Sequence, residues 1–219
     1  MNAPSTVPAT VATLEVPDAR LHYEVRGQGP LVVLVGAPMD ATSFAPLADL
    51  LALDHTVLTT DPRGINRSSV EDPDRDSTPE MRADDLSRLV TRLDAGPAVV
   101  LGSSGGAVTA LALVQAHPEQ VHTVIAHEPP LAVLLDDREK IRAQTDDLIA
   151  THLAGDVTGA WAKFFVQANI SLPDAAIEQM FGGERDPQVV ADERFWFAHE
   201  MRPSTLWQPD LAALRDGPT

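Results

Sequence analysis

The sequence predicts an α/β fold, a mostly parallel sheet with helices on both faces. Two observations lead to it. Apolar runs of strand length, residues 31–35 and 98–101 among them, lack the alternation of a half-exposed strand and read as strands buried on both faces. Between such runs lie stretches whose apolar residues recur three and four apart, so strand and helix alternate along the chain.

The elements follow in order. Residues 1–12 read as a loose Pro/Ala/Thr leader, and residues 13–16 and 20–26 as an antiparallel hairpin turning at Pro17-Asp18. Gly27-Gln28-Gly29-Pro30 breaks the chain before the strand 31–35. A helix around Phe44, Leu47, Leu50 and Leu51 comes next, then a strand at 56–60 that ends in Asp61-Pro62-Arg63-Gly64 and a polar loop. Thr78-Pro79 starts a helix with a capping hydroxyl and a proline in its first turn; Leu86, Leu89, Val90 and Leu93 mark its apolar face. The strand 98–101 runs through Gly102-Ser103-Ser104-Gly105-Gly106 into an Ala/Leu-rich helix stopped by His117-Pro118, and residues 121–126 form another buried strand. From Leu131 the character changes to four helical stripes, and eight of the ten aromatic residues lie between Trp161 and Trp207, which sets this segment apart. The domain reading is therefore a core over 1–130, a helical segment over 131–204, and a return toward the core over 205–219.

At 219 residues and 44% hydrophobic content the chain can bury a substantial core. Its net charge of -16 argues against nucleic acid or an anionic membrane as partner. It has no cysteine, so it has neither disulfides nor a thiolate metal site, and nothing in it signals a metal or organic cofactor. The N-terminal residues lack the basic and long apolar regions of a signal peptide, and the expectation is a soluble, cytoplasmic protein.

The chemistry concentrates in residues 97–116. A buried strand, a tight glycine turn and a helix are the setting that a G-x-S-x-G nucleophile elbow requires. Ser104 is the central residue of that turn. Its hydroxyl would stand above the sheet, while the Gly105 amide at the helix start helps hold a developing oxyanion.

Together, Gly36-Ala37-Pro38, Asp61-Pro62-Arg63-Gly64 and the elbow around Ser104, each at a strand end, resemble the α/β-hydrolases of the esterase, haloperoxidase and haloalkane-dehalogenase type. The resemblance implies that fold for essentially the whole chain, with residues 131–204 as a helical cap. It makes Ala37 the second oxyanion amide, opposite Gly105. Val35 stands where relatives usually carry a histidine. Asp40 would lie beside the oxyanion loop and touch substrate, and Asp61 and Arg63 would brace that loop as a turn and an ion pair. Cap aromatics such as Trp161 and Phe165 would line an apolar substrate pocket; the alternative is that they fill the cap's own core.

A serine nucleophile needs a general base and a carboxylate that orients it. Relatives carry the acid after a seventh strand and the histidine in a later loop, so by resemblance this chain ends roughly 50 to 70 residues before a complete relative does. Little or no turnover is then expected of it alone. Of the seven histidines, His22 and His55 are expected at the surface and His117 at a helix end. His152 and His199 belong on cap helices. His127, at the tip of the strand 121–126, would support the pocket floor. Glu128, 24 residues after Ser104, sits where some relatives place the triad acid; capping a cap helix or pairing with an arginine is the alternative.

The leading expectation is thus a serine hydrolase acting on a small ester or related acyl substrate through an acyl-enzyme. A non-catalytic small-ligand-binding or scaffold protein on the same fold competes with it, as does a cofactor-free haloperoxidase-like enzyme. Dehalogenation is disfavoured because it needs a carboxylate nucleophile. Without further strands, residues 121–126 would form an open sheet edge. The edge is expected to be covered by the cap, by a second copy in a homodimer, or by a missing C-terminal segment.

Overall fold

The computed structural model describes residues 7–218, so the first half of the expected leader lies outside the described residues. Strand β1 (Thr10–Val16) takes up residues 10–12 of it and pairs antiparallel with β2 (Ala19–Arg26). Asp18 turns the hairpin in the left-handed region at φ 61°, a conformation that Asp tolerates better than most residues. Next come β3 (Leu31–Val35), α1 (Ala45–Leu51), β4 (Thr56–Thr60), the two-residue β5 (Ser69–Val70), and α2 (Pro79–Leu93). Then follow β6 (Ala98–Ser103), α3 (Gly105–Ala116) and β7 (Val121–His127). The sheet order is β1-β2-β4-β3-β6-β7, with β5 paired to β2 inside the loop that the sequence left polar and unpaired.

The parallel centre of the sheet is β4-β3-β6-β7. All five residues of β3 are buried, as expected of a strand covered on both faces. One core cluster joins Leu21, Val33, Val35, Leu58 and Val100 to Leu86, Leu89, Val108 and Leu113 of α2 and α3. A second, on the other face, packs Val32, Leu34 and Val57 against Phe44 and Ala48. Thr78 caps α2 by accepting from the Met81 amide at 3.3 Å. Helix α3 buries Ala107, Val108, Ala110, Leu113 and Val114; such all-round burial explains why its sequence lacks a polar stripe.

After β7 the chain forms α4 (Arg138–Leu153), α5 (Val157–Gln167), α6 (Asp174–Phe181) and α7 (Pro187–Phe195). Helix α7 runs on into a π-helical turn at Trp196–Glu200 and then α8 (Met201–Thr205). The cap has its own cluster of Leu148, Ile149, Ala160, Phe195, Trp196, Phe197 and Met201, which reaches the core at Ile65. Asp210 caps a short α9 (Leu211–Asp216). Among the described residues β7 pairs only with β6, so the cap does not cover this edge, and Ile125 stands 47% exposed along it. No helix among the described residues is long and apolar enough to cross a membrane.

Candidate active site

Strand β6 leads into α3 through Ser104, whose φ of 55° and ψ of -123° lie outside the regions a side-chain-bearing residue normally occupies. The surrounding backbone imposes this conformation. A Cβ at Gly102 would fall on the carbonyl of Gly106, and one at Gly106 would fall on the carbonyl of Val35. The two glycines therefore let helix and strands approach closely enough to force the sharp bend. The Ser104 amide donates to the His127 carbonyl at 2.9 Å, and its own carbonyl accepts from the Ala107 amide at 2.9 Å. The residue is half-buried, so its hydroxyl is reachable. Strain held by packing at one residue is a common signature of a functional position.

The loop after β3 lies against this bend. A Cβ at Gly105 would come 2.9 Å from the Cβ of Ala37, so Gly105 and Ala37 touch across the gap between strand end and helix start. Among the described residues neither of their amides donates to a carbonyl or side chain. Two free, buried donors beside a strained serine can hold an anionic oxygen. Asp40 caps the turn that follows. It accepts from Thr42 Oγ1 at 2.6 Å, from the Ser43 amide and hydroxyl at 3.1 Å, and from Asn66 Nδ2 at 2.7 Å. Burial would raise its pKa, but these four donors outweigh burial and lower it.

The expected Asp61–Arg63 pair does not form. Asp61 accepts from Arg67 Nε and Nη2 at 2.7 and 2.9 Å and from the Ala41 amide at 2.9 Å, tying the two loops together. Arg63 turns the other way, into a bidentate pair with Asp85 at 2.7 Å. The chain bends between the two residues, so sequence proximity set the expectation and tertiary contacts decided the partners.

At the tip of β7, His127 is exposed and its Nδ1 lies 3.1 Å from the hydroxyl of Ser103, not that of Ser104. Glu128 follows in the left-handed region at φ 51°, with an exposed side chain. The remaining histidines are engaged elsewhere. His22, expected at the surface, is buried and contacts Glu24 at 3.3 Å, because the alternation of β2 turns it toward a buried ion-pair network. His55 and His117 pair with Asp54 and Asp84. His122 bonds Thr123, and His199 faces Asp76.

His152 is buried, stacked 4.1 Å from the Phe197 ring, and its Nε2 contacts Glu193 at 2.8 Å. Glu193 gathers three further donors, Trp161 Nε1 at 2.8 Å and both terminal nitrogens of Arg185 at 2.7 and 3.0 Å. Burial alone would raise its pKa, yet hydrogen bonds from His152, Arg185 and Trp161 hold it down at about 2. This knot fixes Trp161, whose ring stacks on Phe181 at 4.4 Å. Trp161 and Asp40 line one cavity of about 350 Å³, which begins at Pro38, directly after Ala37. Phe165 lines a different hollow with Ala162, Val166 and Ile177, so the two expected pocket residues, whose ring centroids lie 5.8 Å apart, do not share one cavity.

Three residues here, Arg185, Glu193 and Glu200, are not marked in the sequence. Arg185 and Glu193 belong to no motif. Glu200, at the end of the π-helical turn, is fully buried, and a Cβ at Gly105 would lie 3.5 Å from its Oε1. The turn itself is the only signal that could have marked it, and a π turn does not show in periodicity.

Residues 29–169 match the family described as the α/β hydrolase fold. The chain is 44% identical over 143 residues to the uncharacterized hydrolase YraK of Bacillus subtilis (strain 168), covering 64% of this chain and 53% of that protein. It is 30% identical over 164 residues to a zearalenone hydrolase of Bionectria ochroleuca, covering 69% of this chain and 62% of the relative. The chain thus spans little more than half the length of these relatives. An α/β hydrolase from Sphaerobacter thermophilus DSM 20745 superposes with a TM-score of 0.62 at 26% identity, over 89% of this chain and 75% of that one. A hydrolase from Pseudomonas aeruginosa PA01 does so at 0.60 and 24%, over 95% and 73%. The strained serine between β6 and α3, the Ala37 loop packed on it and the match over residues 29–169 agree: this chain belongs to the α/β-hydrolase fold family.

Proposed function

We propose that the chain carries the nucleophile and oxyanion side of a serine hydrolase acting on a small ester. The observation that carries the reading is Ser104, held at φ 55° against the paired Ala37 and Gly105 positions. In this reading the Ser104 hydroxyl attacks the ester carbonyl and loses its proton to a base. The Ala37 and Gly105 amides hold the resulting oxyanion, and the alcohol leaves with the proton returned. Water then cleaves the acyl-enzyme by the same route. Glu128, at the tip of β7 and 24 residues beyond the nucleophile, is the acid that orients the base. Among the described residues no histidine bonds the Ser104 hydroxyl: His127 turns to Ser103 and His152 to Glu193.

Fluorophosphonate treatment followed by peptide mass spectrometry tests the assignment. An adduct on Ser104 that disappears in Ser104→Ala is expected. An adduct on Ser103 alone, or undiminished labelling of Ser104→Ala, overturns the nucleophile. Turnover of 4-nitrophenyl acetate by this chain, lost in Ser104→Ala, would show that the chain also supplies the base.

A further inference from the structure

The cavity of about 350 Å³ beside the Ala37 loop has walls of two kinds. Trp161, Phe181 and Trp196 present rings, Trp161 lying near-parallel to Phe181 at 15° and to Trp196 at 19°. The other wall carries Asp40, Asp192, Glu193 and Arg185, three carboxylates against one guanidinium, a net of -2. Every one of these charges is already satisfied by the protein. Asp40 takes its hydrogen bonds from Thr42, Ser43 and Asn66, and Asp192 takes them from the Asn66 amide and Gln188. The Arg185 guanidinium is paired with Glu193 through both of its terminal nitrogens. An entering carboxylate therefore meets a wall of net negative charge whose one cation is already paired with Glu193, whereas an uncharged ring meets aromatic side chains.

We propose that this cavity receives an uncharged aromatic ring of the ester substrate and rejects aromatic carboxylates. The inference rests on the hydrolase reading of Ser104 and adds the substrate class to it. It has a consequence for turnover. Hydrolysis of a neutral aromatic ester by water gives the alcohol, a carboxylate and a proton, so an aromatic acid product becomes charged within the cavity that excludes it. Release is then driven by the acidic wall that faces the rings.

The test uses Ser104→Ala, so that binding is read without chemistry, with the matched pair methyl 2-naphthoate and 2-naphthoate at low ionic strength. Two of the three tryptophans line the cavity, and their emission is quenched by energy transfer to a bound naphthalene. Saturable quenching by the ester is expected, with the acid binding about tenfold more weakly or worse. Added salt should narrow the gap. Asp192→Asn removes one wall charge while keeping an oxygen for the Asn66 amide, and it should also narrow the gap. Equal or tighter binding of 2-naphthoate, a gap unchanged by Asp192→Asn, or no saturable quenching by the ester overturns the proposal. Binding as expected without fluorophosphonate labelling of Ser104 would instead sink only the nucleophile assignment, and labelling without binding only the ring pocket.

Discussion

Glu200 lies 3.8 Å from Nη1 of Arg82, and neither of its carboxylate oxygens makes a hydrogen bond. Arg82 spends its own donors on Thr109, Ser77 and Ser204, which fasten α2 to α3 and α8. The two groups are neighbours in charge without being hydrogen-bonded partners. Burial raises the Glu200 pKa above its ordinary 4.5, and Arg82 offsets that only in part.

A carboxyl whose folded pKa is raised favours folding fully below its unfolded value and less as pH climbs through the folded one. Glu200→Gln, uncharged at every pH, should therefore match the native chain within about 1 kcal/mol at pH 5 and gain on it as pH rises. Urea titrations from pH 5 to 8 measure the difference. A loss of several kcal/mol at pH 5 would show that Glu200 is a working ion-pair partner.

Ser104 should cost the fold stability. Relief of one strained non-glycine residue is worth about 1–3 kcal/mol, so Ser104→Gly should melt higher than the parent chain while Ser104→Ala does not. Thermal unfolding of the three proteins decides it. Equal melting points would mean the bend is not strained.

Acid should loosen the cap early. Glu193 drops from 4.5 to about 2 on folding, so its stabilising contribution is complete above pH 4.5 and drains as pH falls toward 2. The drop corresponds to about 3 kcal/mol. Glu193→Gln should lose most of that at pH 7 and show a flatter acid limb. Near-ultraviolet circular dichroism from pH 7 to 2 reports the tryptophan packing directly.

Asp85→Ala should be the most damaging of these changes, since it strands the buried Arg63 guanidinium without its bidentate partner. A cost of about 3–5 kcal/mol is expected in urea unfolding. A cost under 1 kcal/mol would mean that water or another acceptor replaces the pair.

What could be read from the chain were features whose cause is local. The bend at Ser104 is legible because strand, glycines and helix are contiguous, and the placing of Ala37 beside it because its loop follows a strand-end motif. Partners far apart in sequence were not. Glu193 meets His152 and Trp161 across 41 and 32 residues, and no spacing announces such a knot. The Asp61 and Arg63 pairings failed for the same reason, and His22 was misplaced because alternation alone does not say which face of β2 is covered. The π turn before Glu200 hid inside what reads as ordinary helix.

The hydrogen bond from the Ser104 amide to the His127 carbonyl ties the bend at Ser104 to β7, an outermost ribbon of the sheet among the described residues. Fraying at that rim would slacken the bend that presents the hydroxyl. Deuterium uptake at the Ser104 amide should therefore slow under any condition that holds the rim in place.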